Sequence, residues 1–134
     1  MIRYIGRDGK EYILRFDMAA MEEMQERFGG MSEGLKKMSS RETEVIRDVF
    51  VILAQSGADY LAEIEGRASS EKITGEGLLT KHSSVGRLSG MMKAINEAIL
   101  DGNRMQSKDE EDDKIRDGYL AELNEQEKNV SAGA

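Results

Sequence analysis

A mostly helical α+β domain, opened by a β-hairpin and followed by an acidic tail, is the fold class this sequence predicts, and three observations predict it. Apolar residues alternate with a period of two only ahead of Asp17. From there to Gly102 they recur at steps of three and four, the spacing of amphipathic helices. Beyond Gly102 a run of five acids, Asp109 to Asp113, breaks the pattern, because like charges repel one another and resist packing. The chain therefore divides into a compact helical domain with its hairpin, residues 1–102, and an acidic linker plus short amphipathic helix, residues 103–134. A length of 134 residues supports one core. With aromatics at 5% and no Trp, that core must be filled by Leu, Ile, Val and the nine Met.

The elements follow in order. Ile2, Tyr4 and Ile5 form a short apolar run, and Asp8-Gly9 is a tight-turn signal between it and the strand Tyr12–Phe16, whose better face is Tyr12, Leu14 and Phe16. Because a lone hairpin is marginal in water, its apolar face must pack on helices. Asp17 can cap a helix over residues 18–28, with Met18, Ala20, Met21, Met24 and Phe28 as its apolar stripe. Gly29-Gly30 closes it. Ser32 caps a short helix carrying Met31, Leu35 and Met38. Ser39 or Ser40 opens the central core helix, 41–56, in which Val45, Ile46, Val49, Phe50, Ile52 and Leu53 give a wide apolar face ending at Gly57. Tyr60, Leu61 and Ile64 suggest one or two further turns before Gly66, and Ile73 to Ser83 reads as a loop or short helix, with Gly75 to Lys81 flexible. Ser84 caps the last long helix, 84–101, with Val85, Leu88, Met91, Met92, Ile95, Ala98 and Ile99 at helical spacing and Gly102 as its end.

No constellation in the sequence points to catalysis, a metal or a cofactor. Cysteine is absent, which excludes disulfides, thiolate ligands and a cysteine nucleophile. His82, the single histidine, has no serine or acid arranged with it and reads as a surface or hinge residue. Gly75 to Lys81 lacks the spacing of a phosphate-cradling loop. Asp113 to Gly118 fails as a calcium loop because Ile115 stands where an oxygen ligand is needed. Glu22/Glu23 and Glu42/Glu44 are too close in sequence to face one another on a helix, while Glu23 and Arg27 are spaced for a surface ion pair. Lys36, Lys37 and Arg41 are three bases in a chain of net charge −7, which argues against nucleic acid. No stretch approaches a membrane span and no signal peptide is visible, so the expected location is the cytoplasm. The methionines are either flexible core filler or an adaptable surface for apolar partners.

The segment Tyr12–Gly30 resembles the tail assembly chaperones of long-tailed bacteriophages and prophages of Gram-positive hosts. Those chains open with a hydrophobic strand, a Phe-Asp junction, an Ala- and Glu-rich helix and a terminal Phe-Gly-Gly. The matching residues are Leu14, Phe16, Asp17, Met18, Ala19, Met21, Glu22, Phe28 and Gly29. The likeness continues more loosely through Thr43–Leu53, Val85–Ile99 and the acidic segment holding Leu120 to Leu123. It implies a non-enzymatic protein of the host bacterial cytoplasm that binds the tape-measure protein, keeps it soluble and helps tail-tube protein polymerise around it. A head–tail connector or other structural adaptor, permanently part of the particle, is the competing role. The resemblance also implies a longer frameshifted product, since Glu127-Lys128-Asn129 can be written GAA AAA AAC, on which a ribosome can slip.

The tail supplies the candidate partner-binding residues. Ile115, Tyr119, Leu120 and Leu123 form an apolar stripe at helical spacing beyond the charged linker. A helix this short needs a surface to hold it. That surface is the chain's own domain, a neighbouring copy, which makes a homo-oligomer, or a tape-measure helix. In the last case, truncation after Gly102 leaves the fold intact and weakens tape-measure binding.

Overall fold

The pairing Ile2↔Leu14, Arg3↔Ile13, Tyr4↔Tyr12 and Ile5↔Glu11 builds the expected antiparallel hairpin from β1 (Ile2–Ile5) and β2 (Glu11–Leu14). This computed structural model describes residues 1–40 and 42–104. The turn is closed by Gly9 N–H donating to the Gly6 carbonyl, with Gly9 left-handed at φ 78° and Asp8 Oδ1 accepting from Lys10 N–H. One face of the hairpin carries Tyr4, Tyr12 and Leu14 inward. Tyr4 and Tyr12 meet the Phe50 ring edge-on, with centroids 5.1 and 5.5 Å away. Each such pair adds about 1 kcal/mol beyond area burial, which ties an otherwise marginal ribbon to the helices.

Four helices follow among the described residues: α1 (Met18–Phe28), α2 (Met31–Ser39), α3 (Thr43–Ile64) and α4 (Val85–Gly102). Asp17 caps α1, its Oδ1 accepting from Ala20 N–H at 3.0 Å, and Gly29 ends it at φ 81°. Ser84 caps α4 by accepting from Arg87 N–H. The hairpin and the helices share one hydrophobic core, centred on Phe50, Leu53, Ile46, Met24, Met91 and Ile95.

Four expectations are corrected. Ser32 lies inside α2, which starts at Met31, because Gly30 at φ 140° turns the chain directly from one helix into the next. Ser39 and Ser40 do not open α3; both hydroxyls donate to the Lys36 carbonyl and finish α2, and Glu42 precedes α3 without a side-chain cap. The central helix does not end at Gly57. It runs to Ile64, where Gly66 (φ 70°) completes a Schellman motif through Gly66 N–H to Glu63 O and Arg67 N–H to Ala62 O. The segment Gly75–Lys81 forms no helix and is pinned rather than free, since Leu78 and Leu79 are buried in the core.

Gly57 and Gly102 serve close packing. A Cβ on Gly57 would stand 1.8 Å from the Ile13 carbonyl oxygen, and one on Gly102 would stand 2.1 Å from that of Phe16. The chain leaving β2 therefore lies directly on α3 and then on the last turn of α4. Arg15 N–H donates to the Leu53 carbonyl of α3 at 3.0 Å, fixing the crossing.

Candidate functional site

The residues named from sequence as partner-binding, Ile115, Tyr119, Leu120 and Leu123, lie outside the described residues, as does the proposed slippage site. So does Arg41 of the basic trio; Lys36 and Lys37 are exposed on α2. His82 is exposed in the loop before α4, its backbone N–H held by Thr80 Oγ1. Glu23 and Arg27 do not close an ion pair; among the described residues the pairs are Arg3–Glu11, Lys10–Glu71, Arg15–Asp17 and Arg67–Glu65.

What the packing does create is an open groove of about 860 Å³ where the β2–α1 junction crosses α4. Leu14 and Phe16 are its buried floor, Met18 and Met21 of α1 form one wall, and Asp101 to Arg104 at the end of α4 form the other. The two methionines were expected on the buried stripe of α1, yet they are 73% and 47% exposed. The reason is angular. Ala20, Met24 and Phe28 make the buried line, and at about 100° per residue Met21 lies about 60° and Met18 about 120° from its centre. Met1, 60% exposed, reaches the same groove.

The polar side of the groove is organised by Arg15. Its guanidinium carbon lies over the Tyr60 ring, 3.8 Å from the centroid, a cation–π contact. Its Nε stands 3.4 Å from Asp17 Oδ2 but makes no hydrogen bond, so that contact is electrostatic rather than directional. Asp17 thus uses one oxygen to cap α1 and presents the other to Arg15. The result is a wall of unbranched thioethers over an apolar floor, with the Arg15 guanidinium beside it. Such a surface suits the apolar stripe of a helix, because unbranched Met side chains reshape around different partners.

A second depression of about 430 Å³ separates α1 from α3, with Glu22, Glu23, Glu26 and Asp59 at its rim and Val51 and Ile52 beneath. Among the described residues no cluster of three or more His, Asp or Glu is placed to hold a metal ion, and no helix is long and apolar enough to cross a membrane. The groove's own signal in the sequence was the pair of methionines three residues apart, which drift off the buried line; the contribution of Tyr60 and of the α4 end had none. Comparison of the chain with protein-family models, curated proteins and solved structures finds no significant match.

Proposed function

We propose that this chain is a non-enzymatic tail assembly chaperone of a long-tailed phage or prophage, acting in the host bacterial cytoplasm, that binds the tape-measure protein and assists tail-tube polymerisation. The observation that carries the reading is the identity of the groove residues. Leu14, Phe16, Asp17, Met18 and Met21, five of the residues on which the resemblance rests, also line the Met-walled groove. Met18 and Met21 are held outside the core, so their apolar character is not used by the folded domain. A tape-measure protein, long and helical, offers many apolar stripes, and an adaptable thioether wall meets them without demanding one sequence.

The test is co-expression with the tape-measure protein of the same phage or prophage. The wild-type chain should keep that protein soluble and co-purify with it, whereas Met18→Glu combined with Met21→Glu should lose both effects while unfolding at the same urea concentration. Equal co-purification by the double variant would reject the groove as the binding surface. Detection of the chain in purified particles by mass spectrometry would favour the connector role instead.

A further inference from the structure

We infer that the groove is the seat of the chain's own C-terminal segment, Ile115 to Leu123, so that in the free protein the tail covers the partner surface. Three observations carry this. First, the exit of the tail is fixed at the groove: Gly102 packs against the Phe16 carbonyl so closely that a Cβ would stand 2.1 Å from it. Asn103, whose Nδ2 donates to the Ile99 carbonyl at 2.8 Å, and Arg104 are themselves part of the wall. Second, only ten residues, 105–114, separate that exit from the apolar stripe. Fully extended, ten residues reach about 33–36 Å, enough to bring the stripe back over a groove that begins at the exit itself. The stripe is therefore presented to the groove at an effective concentration on the order of millimolar, above any separate chain at ordinary expression levels.

Third, the chemistries match. Ile115, Tyr119, Leu120 and Leu123 are spaced in the sequence as an apolar stripe, and the groove offers exposed Met18 and Met21 over Leu14 and Phe16. This inference goes beyond the proposed function and does not rest on it, because the tail can occupy the groove whatever partner displaces it.

The absence of cysteine makes the measurement direct. The full chain carrying Ala121→Cys is tagged with a nitroxide, and the methionine methyl signals are followed by NMR without any partner. Met18 and Met21 should lose more than half their intensity, and adding Leu120→Asp with Leu123→Asp should restore them. A mixture of tagged, unenriched chain with untagged, isotope-enriched chain should show no loss. Undiminished Met18 and Met21 signals in the tagged chain, loss that survives the double Asp substitution, or loss of equal size in the mixture would each overturn the inference. The last outcome would mean that a second copy supplies the tail.

Discussion

Gly57 and Gly90 both stand in helices, but what surrounds them differs. At Gly57 an added methyl group meets the Ile13 backbone carbonyl at 1.8 Å, and backbone cannot rotate away. Gly57→Ala should therefore cost about 3 kcal/mol, the upper end of ordinary overpacking. Nothing lies within 4 Å of a Cβ at Gly90 in α4, so Gly90→Ala should stabilise by up to about 1 kcal/mol through helix propensity. Urea unfolding of the two variants reads both signs. Tyr12 gives a second residue-scale test. Burial holds its phenol above the usual tyrosine range, and the Asp8 carboxylate, which accepts its O–H at 3.2 Å, adds to the shift. The folded state thus keeps the proton longer than the unfolded state. Its contribution to stability is complete below about pH 10 and is lost as pH rises through the raised native value. Lys10, raised chiefly by its hydrogen bond to Glu71, acts with the same sign. Ultraviolet titration should show one tyrosine ionising late, and Tyr12→Phe should remove that phase. Asp8→Asn should shift it down in pH.

At the scale of elements, the polar anchoring of the stretch from Glu65 to Ser84 centres on one side chain of α3. Gln55 Oε1 accepts from Ile73 N–H at 2.8 Å, while its Nε2 donates to the Glu71 carbonyl and to Asp59 Oδ1, each at 3.0 Å. Ser70 donates to the same Asp59 oxygen. Gln55→Ala should lower stability by about 1–2 kcal/mol. Hydrogen exchange should show the Ile73 amide losing protection while the amides of α4 keep theirs; equal loss in both would mean that the loop does not open independently. This contact also marks the limit of what could be read in advance. Helix α1 was legible because cap, periodicity and stop all lie within the element, Asp17 to Gly29, and α4 because its Ser84 cap and its periodicity do, although Gly102 serves packing on Phe16 and Asn103 is the C-cap. The length of α3 was not, because the role of Gly57 depends on Ile13, more than forty residues earlier in the chain. Nor was the anchoring of the loop, which Gln55 and the buried Ile73, Leu78 and Leu79 supply through contacts distant in sequence. The groove was half legible. Its methionines were conspicuous in composition, but their exposure follows from which line of α1 meets α3.

For the whole molecule, a covered groove changes what the tail does to partner binding. If the tail only supplies contacts to the proposed tape-measure partner, disabling it weakens the complex. If the tail occupies the groove, disabling it has the opposite effect. A tethered stripe at an effective concentration of about 1 mM, with an intrinsic dissociation constant on the order of 0.1 mM, keeps about nine-tenths of the grooves closed. A partner then sees about a tenth of the binding-competent state, and its apparent affinity falls about tenfold. Leu120→Asp with Leu123→Asp in the full chain should therefore bind an amphipathic helix from the proposed tape-measure partner about tenfold more tightly than wild type. Both substituted residues lie beyond the domain that ends at α4, so the urea midpoint of that domain should stay within the small change expected from losing tail contact. Titration calorimetry against one such helix decides the direction. A tighter complex means that the tail and the partner compete for Met18 and Met21, and a weaker one means that Leu120 and Leu123 themselves hold the partner.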